Sequence, residues 1–345
     1  MLFLLLGTNC GTICLESEGL TIMRISIKEL LDNYQVRRSF KQKQIFIQWM
    51  RKHADEHGYK LDEQHYKRDQ GRNLIVGNPQ TAEIILSAHY DTPPNALFPI
   101  TTIVGSIPMY ILGQVFIFLP VIAILWLMER VVKAIFGGVG FWSTMVPFLW
   151  FEISLWALIL LILWCLQMTI GFANRKNAND NTSGVAVLLS VLEDLPCDKR
   201  SKVCFVFFDD EEKGLVGSKF FKKSYYNRIK FTPLINFDCV AHGQHLMFIT
   251  RKGFRESRFN EILTEVTQLP LVTGGKALVK AANKYIHPSD QLNFPNSVGV
   301  VALHKIPVFG YYLSRLHSRF DKKFNVDNIE TLNQIMIDFI EKITE

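Results

Sequence analysis

The chain has 345 residues and a formal net charge of +6, with 48% hydrophobic and 20% charged residues. This length allows one large α/β domain or two modest ones. The basic residues lie in mixed-sign runs without interleaved aromatic residues, so no nucleic acid is predicted as a partner. The six cysteines show no CxxC pair and no spacing typical of a small secreted domain.

Residues 1–22 are predicted to be an N-terminal extension that does not belong to the translated protein. The opening MLFLLLGTNC is short, lacks a basic leader and precedes the polar ESEG, which is a poor match to a signal peptide. Glu18 and Gly19 would be encoded by a ribosome-binding-like string a few codons before Met23. We therefore expect translation to begin at Met23.

The first part of a catalytic domain is predicted at residues 23–95. A helical pattern runs from Ile25 to about His57, with apolar residues spaced among charged ones. Strand-like runs follow at residues 73–76 and 83–88, and the second of them ends at His89.

Residues 96–172 are predicted to form an inserted transmembrane hairpin. Two long stretches around it contain no charged residue, and about 20 apolar residues are enough to cross a bilayer as a helix. We place the spans near Pro108–Met128 and Ile153–Phe172, with Pro120 as a kink that a bilayer helix tolerates. The alternative is a helical hairpin buried in a soluble core.

Two spans return the chain to the side of the bilayer from which it started. We therefore predict a multi-pass protein of the cell membrane whose catalytic domain is cytoplasmic. Arg175 and Lys176 flank the second span on that side, although Arg130 and Lys133 in the connector weaken the positive-inside argument. The lipid bilayer is thus a predicted partner.

The second part of the catalytic domain is predicted at residues 173–345. A polar turn leads into a helix near Ser183, with Thr182 or Ser183 as its cap. Strands and helices then alternate, which indicates an α/β fold around a largely parallel sheet. The predicted strands are residues 202–208, 233–237, 246–249, 298–303 and 307–309, and the predicted helices are residues 215–226, 256–268 and 328–343.

Five separated stretches supply residues suited to a two-metal site. Several of them directly follow apolar strand-like runs, and active sites in open α/β sheets form beyond the carboxyl ends of strands. Imidazole and carboxylate ligands suit zinc, and a carboxylate can bridge two ions about 3.5–4 Å apart. The candidates are His89, Asp180, the pair Glu211 and Glu212, Asp238, and His317.

At the end of a strand, neighbouring side chains point to opposite sides of the sheet. One glutamate can therefore bind metal while the other faces a water molecule. Asp91 lies two residues after His89 and on the same face, where it could hold the free ring nitrogen of that histidine.

These motifs resemble the co-catalytic di-zinc aminopeptidases of clan MH, which include bacterial leucyl aminopeptidases and vacuolar aminopeptidase Y. The matching segments are HYD at 89–91, DNTSG at 180–184, EEKGLVGS at 211–218, NFD at 236–238 and His317. The resemblance covers essentially everything outside the insertion and the first two dozen residues. It implies a three-layer αβα fold with a mixed, largely parallel sheet.

The resemblance also implies two Zn²⁺ ions and a role for each matching residue. His89 and Asp238 would bind one ion, Glu212 and His317 the other, and Asp180 would bridge them. Glu211 would be the general base, and Asp91 would orient His89.

Two departures from the family pattern concern the surroundings of the site. Gln291 in SDQLNF stands where the family has a histidine that is not a core ligand, so details of the substrate pocket are in doubt. The insertion replaces a short loop. Tyr285 is a candidate for stabilising an oxyanion, with ordinary packing as the alternative.

We expect a membrane-anchored zinc aminopeptidase that acts on peptides. Within the clan, a carboxypeptidase or a glutaminyl cyclase is the alternative, and cyclases of the clan use one metal. A third hypothesis is a membrane protein that has this fold but acts as a non-catalytic binding module. The sequence indicates neither the preferred side chain nor the oligomeric state.

Overall fold

The computed structural model describes residues 23–66, 71–96, 98–136, 171–268, 277–307 and 309–345, with scattered positions between 155 and 167. The α-helices of these residues are α1 (Ile25–Asn33), α2 (Phe40–Glu56), α3 (Ile107–Phe136), α4 (Thr182–Asp194), α5 (Val216–Ile229), α6 (Lys252–Arg255), α7 (Arg258–Val266) and α8 (Val326–Thr344). The strands are β1 (Leu61–Tyr66), β2 (Gly71–Val76), β3 (Ile84–His89), β4 (Ile100–Val104), β5 (Val203–Phe208), β6 (Leu234–Phe237), β7 (His245–Thr250), β8 (Ala277–Ala281), β9 (Ser297–Ile306) and β10 (Gly310–Leu316).

The strands form one mixed sheet in the order β1-β2-β5-β3-β6-β9-β10-β4, with β7 paired to both β9 and β8. The central strands β5, β3, β6 and β9 are mutually parallel, whereas β1, β2, β10 and β4 join by antiparallel pairing. The prediction of a mixed sheet with a largely parallel centre is therefore confirmed. The consecutive pairs β1–β2 and β9–β10 can be antiparallel because a short connection is enough, whereas the parallel strands at the centre need crossover connections.

Alternate residues of the central strands enter two separate apolar layers. Leu86 and Phe205 pack with residues of α1, α2, α4 and α8, whereas Ile85 and Val206 pack with Phe221 of α5. Both faces of the sheet are thus covered by helices, which explains why its strands read as continuous apolar runs. The fold is α/β, with three layers.

The long helix predicted from Ile25 to His57 is interrupted between α1 and α2. Ser39 begins α2 with a capping box, in which its side chain accepts from the Gln42 N–H and the Gln42 side chain accepts from the Ser39 N–H. Before this cap the Arg37 side chain is fully buried and donates to the carbonyl oxygens of Tyr34 and Tyr90. The chain leaves the helix because Arg37 enters the interior.

Other differences are local. Strands β1, β4 and β8 and the short helix α6 were not predicted, and the helix predicted at 256–268 is the shorter α7. The strand predicted at 307–309 is wrong, because residues 307 and 309 lie in a turn between the antiparallel strands β9 and β10.

The insertion also differs from the predicted pair of spans. It contributes the edge strand β4, and the first turns of α3 pack on that strand, with Ile103 next to Gly113. The helix continues through Arg130, which was expected in a connector. No helix among the residues described here is long and apolar enough to cross a membrane. The doubtful extension 1–22, and most of the second predicted span, lie outside these residues.

Candidate metal centre

Three adjacent parallel strands bring the candidate ligands to one edge of the sheet. β3 ends at His89, β5 is followed by Glu211 and Glu212 after two aspartates, and β6 is followed by Asp238. Because β3 pairs with both β5 and β6 in parallel, these carboxyl ends meet.

The first group of donors consists of His89, Asp180 and Asp238, all buried. His89 Nε2 lies 3.6 Å from Asp180 Oδ1 and 3.5 Å from Asp238 Oδ1. A ring nitrogen and two carboxylate oxygens therefore face a common point.

The second group consists of Asp180, Glu212 and His317. His317 Nε2 lies 3.1 Å from Asp180 Oδ2 and 3.5 Å from Glu212 Oε2. Asp180 belongs to both groups, with one carboxylate oxygen toward each histidine. His317 follows β10 with a φ of 52°, a left-handed conformation that is uncommon for histidine.

Asp91 lies behind both groups. Its Oδ1 is 3.6 Å from His89 Nδ1, and its two oxygens accept the backbone N–H groups of Glu211 at 3.0 Å and Glu212 at 3.2 Å. Burial would raise the pKa of Asp91, but the contact with His89 and the charge of Lys43 lower that pKa to about 2. Asp91 is therefore an anion that positions the glutamate pair as well as His89.

Glu211 shares a third potential donor group with His89 and Glu212. Burial, followed by the charges of Glu212 and Asp290, raises the pKa of Glu211 well above its ordinary value, although His89 opposes this. Burial and the Asp180 carboxylate likewise raise the pKa of Glu212. In both cases burial disfavours the charged form of the carboxyl group.

The loop that carries Asp180 is held by a residue that sequence reasoning missed. The Asp321 carboxylate accepts the N–H of Asn179 at 2.9 Å and that of Asp180 at 3.0 Å. Burial raises the pKa of Asp321 to about 8. Nothing in the RFDKKF segment indicates this contact, since it joins residues about 140 positions apart.

The cap of α4 is Asn181, not the predicted Thr182 or Ser183. Asn181 Oδ1 accepts from the Gly184 N–H at 3.0 Å and from the Cys239 N–H at 3.2 Å, while its Nδ2 donates to the Phe237 carbonyl at 2.8 Å. The side chain thus joins the Asp180 loop to the end of β6, because an asparagine can accept and donate at once.

Several further charged residues surround the ligands. Lys43 pairs with Asp209 and Asp210, the first half of the DDEE run. Asp290 is fully buried, both its carboxylate oxygens lack a hydrogen-bond partner, and burial raises its pKa to about 7. His287 is buried, with Nε2 3.4 Å from Asp238 Oδ2.

The other two candidates lie outside the donor groups. Tyr285 packs in an apolar cluster, with its ring centroid 6.1 Å from that of Tyr311. Gln291 is buried, where its amide donates to the His287 carbonyl and accepts from Asn236. This environment supports packing for Tyr285 and a structural role for Gln291.

The insertion begins and ends beside the ligands. Pro94 and Ala173 form an isolated bridge, and the Asn95 N–H donates to the Phe172 carbonyl at 2.8 Å. The Ala96 N–H donates to the carbonyl of His317 itself at 2.6 Å. The base of the insertion therefore forms part of the wall of the site.

The donor groups fit a divalent transition metal such as zinc. Glu212 Oε1 and Asp238 Oδ1 are buried without a hydrogen-bond partner, which is costly for a carboxylate oxygen unless a cation compensates it. Histidine nitrogen and carboxylate oxygen are common zinc ligands.

Comparisons with known proteins agree with this chemistry. A profile of peptidase family M28 matches residues 169–340, and no curated protein matches the chain. Among solved structures, the Legionella pneumophila LapA aminopeptidase is similar with 10% identity and a TM-score of 0.50, covering 92% of this chain and 68% of that one. The Porphyromonas gingivalis glutaminyl cyclase has 13% identity and a TM-score of 0.56, covering 92% and 95%.

A Zn-dependent exopeptidase from Parabacteroides distasonis is similar with 12% identity and a TM-score of 0.53, over 91% of this chain and 94% of that one. At such identities these similarities establish the fold alone. The family match covers the segment that holds Asp180, both glutamates, Asp238 and His317. The chain is thus similar to peptidase family M28 over residues 169–340, and its fold is that of these three solved structures.

Proposed function

We propose that the protein is an aminopeptidase that uses two zinc ions. The observation that carries this proposal is the position of Asp180, whose two carboxylate oxygens face different histidines at 3.6 and 3.1 Å. A carboxylate between two complete donor groups is what a pair of ions about 3.5–4 Å apart requires.

In this proposal His89 and Asp238 would hold one ion, Glu212 and His317 would hold the other, and Asp180 would be a ligand of both. Bound there, the ions would supply Lewis acidity and lower the pKa of water. Asp91 fixes the ring of His89 and the backbone of both glutamates, so the ligand geometry is set before substrate arrives.

Glu211 is the proposed general base. Its carboxylate would accept a proton from the attacking water and pass it to the leaving amine, which needs a pKa nearer neutrality than that of an ordinary glutamate. The upward shift of its pKa by burial and by neighbouring carboxylates supports this role.

The charge of the site favours a substrate with a free amino terminus. Six carboxyl groups gather here, and when ionised they carry more negative charge than two divalent ions neutralise. An ammonium group at the end of a peptide would compensate the excess. The six are Asp91, Asp180, Glu211, Glu212, Asp238 and Asp290.

A glutaminyl cyclase is the second candidate, because the similar solved structures include the cyclase of Porphyromonas gingivalis. The two activities differ in product and in metal content. Purified enzyme should be assayed with aminoacyl-p-nitroanilides and with an N-terminal glutaminyl peptide, and zinc per chain should be counted. Release of p-nitroaniline with about two zinc ions supports the aminopeptidase. Pyroglutamate formation with one tightly bound zinc would contradict it, and bound zinc without any turnover would favour a binding module.

We further propose that the insertion holds the enzyme at a lipid bilayer, with the catalytic domain on the cytoplasmic side. Large apolar side chains along α3 are exposed, and an apolar surface of this extent typically contacts lipid or protein. They include Ile111, Val115, Ile122, Trp126 and Leu127. Because the base of the insertion lies at the site, peptides at the membrane would be favoured substrates.

Replacing residues 97–171 with a short Gly/Ser loop tests the role of the insertion. The shortened enzyme should still cleave small chromogenic substrates but lose its preference for liposome-bound peptides. Equal activity of both forms on bound and free peptides would contradict that preference. For sidedness, a reporter fused after Glu345 that is active only outside the cell would contradict a cytoplasmic domain.

A further inference from the structure

A second cluster of potential metal ligands lies where the ends of α2 and α4 meet. It consists of His53, His57 and Glu193, which offer ligand atoms within 4.8 Å of one another. None of the three belongs to the donor groups around Asp180. Glu193 is eleven residues along α4 from its first residue, so the rise of an α-helix places the two sites roughly 17 Å apart.

The buried part of this cluster contains two atoms that face each other without a hydrogen bond. His53 is only 7% exposed, and its Nε2 lies 3.1 Å from Glu193 Oε1. Neither atom has a hydrogen-bond partner. Their separation is close to the distance between two ligands of one tetrahedral zinc, for which each metal–ligand bond is about 2.0–2.2 Å.

The histidines are arranged as metal ligands usually are. His53 and His57 are separated by four positions at the end of α2, so they project on the same side, with ring centroids 4.4 Å apart. His57 Nδ1 lies 2.9 Å from the His53 carbonyl, and donation there leaves the lone pair on Nε2. Trp49 stacks on His53 with a centroid distance of 5.6 Å and restrains its ring.

The local electrostatics favour a cation. Two arginines lie nearby: Arg24 is shared by the carboxylates of Glu193, Asp194 and Glu330, and Arg200 donates to the His57 carbonyl at 2.7 Å. These three carboxylates and two guanidinium groups leave an excess of one negative charge. In addition, this region lies at the carboxyl ends of α2 and α4, and the carboxyl end of a helix attracts cations.

We propose that His53, His57 and Glu193 form a structural site for a divalent transition metal, with zinc as the fitting ion. Two imidazoles and one carboxylate leave one coordination position for a water molecule. That position is accessible because His57 is only half-buried. A bound ion would join the ends of α2 and α4, and through Arg24 it would also stabilise the contact with α8. This site does not depend on the function proposed for the catalytic centre.

The test is the zinc content of the metal-stripped and reloaded full-length enzyme. His57→Ala and Glu193→Gln should each hold about one zinc per chain fewer than wild type. His65→Ala, which removes a histidine from β1 and from no cluster, should match wild type. Both His57→Ala and His65→Ala should keep peptidase activity, because neither changes the catalytic ligands.

Thermal unfolding provides a second measurement. Zinc should raise the unfolding midpoint of wild type and His65→Ala by more than that of His57→Ala. His57 is at the half-exposed end of α2, so its replacement should leave the fold intact, which circular dichroism checks. Equal zinc content and equal zinc-induced shifts in wild type and His57→Ala would overturn the proposal and leave an ordinary contact between His53 and Glu193.

Discussion

Glu211 and Glu212 are adjacent in sequence but contact different groups. Glu212 Oε2 lies 3.5 Å from His317 Nε2, within the donor group that includes Asp180. Glu211 shares its surroundings with His89 instead and has a raised pKa. At the scale of single residues, the proposed function thus assigns a metal ligand and a proton acceptor to two consecutive positions of the chain.

Glu211→Gln should abolish turnover, by a factor of about 10²–10⁴ in kcat, while zinc content stays at the wild-type value. The reason is that an amide cannot accept the proton, although no ligand is lost. Glu212→Gln should instead lower zinc content together with activity. Kinetics and zinc analysis of both variants would show the role assignment to be wrong if their effects are exchanged.

Lys43 gives a second prediction for a single residue. It is buried between Asp209 and Asp210, so Lys43→Met leaves a buried carboxylate that depends on backbone N–H donors. We expect the free energy of unfolding to fall by about 3–5 kcal/mol. The matched control is Lys28→Met, which breaks an exposed pair with Asp32 and should cost less than about 0.5 kcal/mol. Urea unfolding that shows similar losses for both would contradict this account of Lys43.

At the scale of elements, helix α4 connects the two candidate metal sites. Its first turn follows Asp180 and is joined to β6 by Asn181, and its last turn carries Glu193. Gly184 allows this close approach, because a Cβ at that position would lie 2.3 Å from the Phe237 carbonyl oxygen. The small residue in the DNTSG motif is therefore required by packing of the helix on the end of the strand.

Gly184→Ala should push α4 away from β6 and separate Asp180 from Asp238. We expect a loss of about 1–3 kcal/mol in stability, as for other overpacked sites, together with reduced zinc content. Ser190→Ala, in the same helix, removes only a bond to the Ala186 carbonyl and should cost about 1 kcal/mol or less. Denaturation and zinc analysis of both variants measure this, and unchanged zinc content in Gly184→Ala would count against it.

At the scale of the whole molecule, the sheet concentrates carboxylates at one edge, and their mutual repulsion makes stability depend on metal. The pKa values of Glu211 and Glu212 are raised well above the ordinary 4.5, chiefly by burial. The folded, metal-free protein therefore holds these protons more tightly than the unfolded chain does. Its stability is greatest below pH 4.5 for these two groups and is lost as the pH rises through the raised values.

Chelator-treated enzyme should accordingly lose more stability between pH 5 and pH 8 than enzyme reloaded with zinc, because the ions compensate the ionised carboxylates. Unfolding midpoints of both forms across about this range provide the measurement. The opposite order, or parallel pH profiles, would show that the buried glutamates are not coupled to the metal.

The sequence by itself determined the positions of the ligands along the chain. The central strands are continuous apolar runs, so the polar residues that follow them are visible without a structure, as at His89 and Asp238. The division into helices and strands could also be predicted, because it depends on the local periodicity of apolar residues. These are short-range properties, and a sequence records them directly.

The tertiary structure alone decided which distant residues support the ligands. Asp321 holds the Asp180 loop, Lys43 neutralises the aspartates after β5, and β4 joins β10 as an edge strand. The partners in each case are far apart in sequence, and a lone aspartate or lysine has no local pattern that predicts its contact. The same applies to Glu193, which meets His53 only because α2 and α4 pack on one face of the sheet.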